Sequence, residues 1–138
     1  MRFFKKNGFT LIELLVVILI LGLLAAFVGP RMFGHLKKAE LQAAKTQIES
    51  LGTALDLFRL DMGRYPSTAE GLNALRQKVG SGGRWRGPYL KKPIPKDPWG
   101  RDYVYRCPGQ HGDYDLFSYG ADGVEGGQGE NADITSWE

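Results

Sequence analysis

The sequence predicts an α+β fold in which one long N-terminal helix, membrane-spanning and then amphipathic, is packed by a small antiparallel sheet. Three observations predict it. From Phe9 to Val28 every residue but Thr10 and Glu13 is apolar or glycine. From Leu41 to Met62 apolar residues recur at helical spacing. Beyond Tyr65 the chain is punctuated by glycine and proline, and short alternating segments appear only from Arg101 onward.

The first segment is long enough to cross a bilayer, since about 20 residues at 1.5 Å each span a hydrocarbon core of about 30 Å. It is apolar all round, so a small domain cannot wrap it as a core helix. A secretory signal is the competing reading, with Arg2, Lys5 and Lys6 as its basic start. The length of the apolar run, and an end, "AAFVGPR", without a small-x-small cleavage site, favour a retained anchor. Basic residues flank both ends, so charge alone leans only slightly toward a cytoplasmic N-terminus.

The second segment carries a seam of Leu41, Ala44, Ile48, Leu51, Leu55, Phe58 and Met62, spaced alternately by three and four. Gly63 is placed to cap it in the left-handed conformation. Gly29-Pro30 and Gly34 lie at the join, and a kink or local melting over 26–34 is expected there.

Past the helix, Ser67 with Glu70 fits a capping box, and Leu72, Leu75 and Val79 predict a short amphipathic helix. Residues 79–103 read as a loop, with Trp85, Tyr89 and Trp99 lying over the core. "RDYVYRC" and "YDLFSYG" read as an antiparallel hairpin around "PGQHG", and "DITSW" as a short third strand.

Of 138 residues, about a hundred remain for a soluble core, enough for one small domain. The net charge is +3, and acidic and basic residues read as interspersed after position 40. No nucleic-acid partner is expected. The single cysteine, Cys107, excludes an intrachain disulfide. His35 and His111 are the only histidines, and Cys107 with His111 lacks a convincing third ligand. No phosphate-binding loop or dinucleotide pattern is present. An enzyme is not expected.

"GADGVEGGQGENADITSW" sets Asp122, Glu125, Glu130, Asn131 and Asp133 among five glycines. Oxygen donors on a flexible loop suit Ca²⁺, which takes six to eight of them. Composition alone leaves a solvated acidic loop as the alternative. The pattern is not an EF-hand.

A basic leader, then Gly8-Phe9-Thr10-Leu11-Ile12-Glu13, then an unbroken apolar helix, resembles the processing motif of the type IV pilin and pseudopilin class. "RYPSTAEGLNAL", "PKDPWGRDYVY" and "SYGADGVEGG…ADITSW" resemble, within that class, the major pseudopilin family of the type II secretion system. The resemblance implies a type IV pilin-like fold, with a cleaved leader at 1–8 and a transmembrane helix at 9–29. It further implies an amphipathic continuation at 30–63 and a periplasmic head at 64–138. Prepilin peptidase would cut between Gly8 and Phe9, and Phe9 would be N-methylated. Glu13 would meet the α-amine so created, in its own subunit or the next.

The implied function is a structural one: a homopolymer, anchored single-pass in the bacterial inner membrane and growing in the periplasm to support export of folded proteins. Its partners would be further copies of itself, minor pseudopilins, the inner-membrane secretion platform and membrane lipid. Assembly would involve Glu13, Pro30, Lys91 and Asp56, with Lys91 and Lys92 reaching Glu49 or Asp56 of a neighbour. The family binds a structural calcium in the C-terminal loop. The implied ligands are the side chains of Asp122 and Asp133 and carbonyls near Tyr119 and Gln128. A type IV or competence pilin is the alternative, and a calcium-binding domain on a non-polymerising anchor is a third reading.

Overall fold

The computed structural model describes residues 7–138. The leader's basic residues Arg2, Lys5 and Lys6 lie outside the described residues. The chain divides into two compact units, residues 1–37 and 38–138.

Helix α1 runs from Leu11 to Met62. Its start is a reciprocal capping box. The Thr10 amide donates to Glu13 Oε2 at 3.0 Å and the Glu13 amide to Thr10 Oγ1 at 3.2 Å. Two amides that have no intrahelical partner are thereby satisfied, and the carboxylate sits where the helix dipole favours it. In the first unit the large apolar side chains, from Leu11 through Leu36, are all exposed. The apolar stretch of this helix is long enough to cross a membrane, and none of it is buried within the chain.

The expected melting over 26–34 does not occur. Pro30 lies inside an unbroken helix, and nothing stands within 4 Å of a methyl built on Gly29 or Gly34. A proline removes one backbone bond from the ladder, and the helix runs on through that loss.

The second unit forms around the seam. Ala44, Ile48, Leu51, Ala54, Leu55 and Phe58 are buried against Leu72, Leu75, Tyr103, Tyr105, Leu116 and Ile134. Leu41 and Met62 flank this core half-buried. Gly63 ends α1 at φ 74°, its amide bonded to the Arg59 carbonyl at 2.7 Å.

The amphipathic helix expected through Val79 is a single 3₁₀ turn, Leu72–Leu75. The Ser67/Glu70 box does form: the Ser67 amide donates to Glu70 at 2.9 Å and the Glu70 amide to Ser67 Oγ at 3.1 Å. It closes a turn one residue before the helix, ending at Gly71 with φ 64°. At the other end the Leu75 carbonyl is claimed by the Tyr89 amide at 2.7 Å. Backbone groups taken by the loop cannot propagate the helix.

Three strands follow, β1 (Val104–Arg106), β2 (Asp115–Ser118) and β3 (Ile134–Thr135), in the antiparallel order β1-β2-β3. Val104 pairs with Phe117, and Phe117 with Thr135. The hairpin and third strand match the expectation, but β2 is not half-exposed. All four of its residues are buried. Leu116 joins the helix-facing core, while Phe117 is covered by Tyr119 and Trp137, with ring centroids 5.2 and 5.8 Å away.

Candidate functional site

The C-terminal loop joins β2 to β3, and glycines set its path. Gly120, Gly123, Gly126, Gly127 and Gly129 all have φ between 63° and 102°. At Gly127 a Cβ would stand 2.5 Å from the Asn131 carbonyl oxygen, so only glycine admits that close approach. The Ala121 amide donates to the Glu130 carbonyl at 3.2 Å, drawing the two halves of the loop together.

The expected calcium ligands carry distinct contacts. Asp122 Oδ1 accepts the Val124 amide at 3.1 Å, and Asp133 Oδ2 accepts the Gly126 amide at 3.0 Å. Asp133 Oδ1 is buried and has no hydrogen-bond partner. The Gln128 carbonyl accepts the Asn131 amide at 3.2 Å, and Tyr119 is half-buried with its ring against Phe117. No group of three His, Cys, Asp or Glu side chains stands close enough to hold a metal among the described residues. A cation here would therefore need backbone carbonyls as well as carboxylates. The orphaned Asp133 oxygen, in a loop where only glycine lets the backbone approach, fits an oxygen-binding cation.

A second feature missed by sequence reasoning supports this loop from below. Asp97 is 4% exposed. Its Oδ1 accepts the amides of Trp99 (3.1 Å) and Arg101 (2.8 Å), and its Oδ2 accepts the Ser118 hydroxyl at 2.7 Å. Ser118 Oγ in turn accepts the Gly120 amide at 3.2 Å. "DPWG" is a turn signal, but nothing in it says which buried strand residue the aspartate will meet.

The assembly residue Asp56 lies on α1 in a groove that the loop borders. Asp56 accepts the Tyr65 hydroxyl at 2.8 Å. With Glu49, Tyr114, Asp133 and Glu138 it lines a groove of about 840 Å³ between α1 and β3. Burial, then Asp56, pushes the Tyr114 hydroxyl up to about 12, so it stays neutral beside those carboxylates. Lys91 and Lys92 are exposed. Charge is less interspersed than composition implies: no acidic residue occurs over 76–96, and no lysine or arginine follows Arg106. Cys107 and His111 do not form a site. The thiol contacts the Asp113 carbonyl at 3.5 Å, while His111 stacks on Trp137 at 4.0 Å and meets Asp115 at 3.1 Å.

The sequence model of the family described as type II secretion system (T2SS), protein G, matches residues 31–137. The chain belongs to the type II secretion system protein G family. The model of the prokaryotic N-terminal methylation motif matches residues 3–29 of the same chain. The type II secretion system core protein G of Vibrio cholerae is 48% identical, covering 96% of this chain and 92% of that protein. The core protein G of Pseudomonas aeruginosa is 46% identical, with 97% and 96% covered. The crystal structure of the major pseudopilin from the type 2 secretion system of enterohaemorrhagic Escherichia coli superposes with a TM-score of 0.63. It is 39% identical and covers 78% of this chain and 95% of its own. The pilin-like fold read from the sequence is therefore that of a protein G, and these relatives do not favour a type IV or competence pilin. Family members with these names are structural subunits rather than known enzymes. The methylation motif and the apolar helix together fit a single-pass, membrane-anchored protein G.

Proposed function

We propose that the chain is the major structural subunit of a type II secretion pseudopilus, without enzymatic activity of its own. It is held in the inner membrane by residues 9–29 with its head, residues 64–138, in the periplasm. What carries this reading is the presence, on one chain, of a methylation motif at residues 3–29 and a protein G match at residues 31–137. Prepilin peptidase cuts between Gly8 and Phe9, and Phe9 is N-methylated. The subunits polymerise with further copies, with minor pseudopilins as companions and the inner-membrane secretion platform as the base. The contacts expected are with lipid and protein, not nucleic acid.

Glu13 has two successive roles in this reading. In the single chain it closes the Thr10 capping box. In the filament its carboxylate meets the α-amine that cleavage creates, since a carboxylate in lipid is costly unless paired. The head supplies a head-to-tail contact. The basic 76–96 segment, through Lys91 and Lys92, meets the groove holding Asp56 and Glu49 on the next subunit. Two unlike patches on one chain make a heterologous contact, which builds an open helical filament when its rotation does not close into a ring.

Calcium is the cofactor of this reading, held by Asp133 through its free Oδ1, by Asp122 and by carbonyls at Tyr119 and Gln128. Such a cation would draw oxygen ligands from the two halves of the loop together and so would add to the stability of a small head.

The test is complementation. A strain lacking its own major pseudopilin is given this chain, and secreted enzyme is measured in the medium beside cross-linked filament ladders. Secretion should return with the native chain and fail with Glu13→Ala. Lys91→Glu with Lys92→Glu should shorten the ladders, and Asp56→Lys added to that pair should lengthen them again. Full secretion from the Glu13→Ala chain would overturn the role of Glu13. Unchanged ladders from the double charge reversal would overturn the head contact.

A further inference from the structure

Arg101 has no side-chain role in the account above, yet it donates hydrogen bonds into the acidic loop. Its backbone is fixed by the Asp97 turn. The Asp97 amide donates to the Arg101 carbonyl at 2.8 Å, the Gly100 amide to the Asp97 carbonyl at 3.0 Å, and the Arg101 amide to Asp97 Oδ1. From that base Nη1 donates to the carbonyls of Gly120 at 3.1 Å and Ala121 at 3.3 Å. The guanidinium also lies against the backbone of Gly123, where a Cβ would stand 2.5 Å from Cζ and Nε. Gly123 has φ 68°, so that position favours glycine twice over.

We propose that Arg101 is a positioning residue for the 119–133 loop, a built-in cation that pre-forms its first arm before any metal arrives and so sets its calcium affinity. This rests on the calcium reading above and goes beyond it, because Arg101 is not a ligand. Three observations converge on the same corner. Arg101 holds the carbonyls of Gly120 and Ala121, Ser118 holds the Gly120 amide, and the Ala121 amide reaches the Glu130 carbonyl. The carbonyls of Gly120 and Ala121 are thereby engaged by the guanidinium, which leaves Tyr119 and the Asp122 side chain to serve a metal. With the arm already folded, binding orders less chain, and affinity rises for that reason.

A positive charge beside a cation site also repels the cation, and the two effects have opposite signs. Arg101→Lys keeps the charge but replaces the planar, rigid guanidinium with a single flexible ammonium. Arg101→Gln removes both. If repulsion dominates, the glutamine variant binds calcium more tightly and the lysine variant resembles the native chain. If positioning dominates, both bind more weakly, by about tenfold, the lower end of what loss of an outer-shell partner costs a metal site.

The experiment uses the full chain in detergent micelles. Calcium affinity is measured by titration calorimetry, and amide hydrogen exchange over residues 119–124 is followed in chelator. Near-ultraviolet circular dichroism checks that each variant keeps its tertiary fold. The expected result is faster exchange over 119–124 in both variants, by about tenfold as charge-assisted bonds are lost, together with the loss of affinity. Unchanged exchange overturns the proposal. So does unchanged or tighter affinity in a chain that binds calcium. If the native chain shows no calcium binding at all, the calcium reading falls and with it the affinity half of the proposal. The exchange in chelator still decides whether Arg101 positions the arm.

Discussion

Asp97→Asn is a near-isosteric change at the buried aspartate beneath the C-terminal loop, and its cost follows from the geometry. The retained carbonyl oxygen keeps the amides of Trp99 and Arg101. The new NH₂ group replaces Oδ2, which accepts the Ser118 hydroxyl at 2.7 Å. With the Ser118 hydroxyl hydrogen aimed as it is, two donors now face one another in a site that is 4% exposed. A hydrogen bond to a charged group is worth about 1.5–3 kcal/mol, and a buried donor left unmade costs a similar amount. About 2–3 kcal/mol is therefore the expected loss. For a domain of about 100 residues, 1 kcal/mol moves the Tm by about 4–8 °C, which puts the drop at about 8–24 °C. Asp97→Ala, which strips all three donors of their acceptor, should cost more, about 3–5 kcal/mol. Thermal unfolding of the detergent-solubilised chain, followed by near-ultraviolet circular dichroism, reads both. A change below 2 °C for Asp97→Asn would show that water or a reoriented Ser118 satisfies the site, and the reasoning would fail.

Other consequences are equally open to measurement. Phe58 is 0% exposed and meets Tyr89 edge-on at 5.7 Å, so Phe58→Ala should destabilise the head by about 3–5 kcal/mol, and a loss under 1 kcal/mol in the same melt would contradict that packing. The Arg64 guanidinium, against the cost of burial and with help from Ser67, holds the Glu70 carboxyl at about 2. A depressed carboxylate adds stability above its ordinary value of 4.5, and that stability is lost as pH falls from there toward 2. Arg64 is 49% exposed, which limits the contribution to about 1 kcal/mol. Glu70→Gln should lower the Tm at pH 7 and make no difference near pH 2; equal melting at both pH values would remove the pair as a stabiliser. Calcium at 100 times its Kd should add about 2.7 kcal/mol over the chelated chain, and Asp133→Asn should abolish most of that rise. A native Tm indifferent to calcium would remove the cation.

The N-terminal half of this protein is legible because its information is local and periodic. The apolar run, the three-and-four seam from Leu41 to Met62 and the Gly63 cap are statements about single faces and single turns. The order of the three strands is equally local, since glycine- and proline-rich turns set it. Thr10 and Glu13 are also a capping box legible from their three-residue spacing. The helix expected through Val79 failed for a non-local reason, because the Leu75 carbonyl belongs to Tyr89.

The sequence by itself determined that there is one long helix, an apolar segment able to cross a membrane, a small sheet and an acidic glycine-rich end. Those follow from periodicity and from the conformational freedom of glycine. Only the tertiary structure decided that β2 is buried on both faces, that Asp97 lies under the loop and that Arg101 holds its first arm. Each of these depends on residues 19 or more positions apart in sequence coming together, and a hydrogen bond or a close approach exists only once the chain has closed that distance.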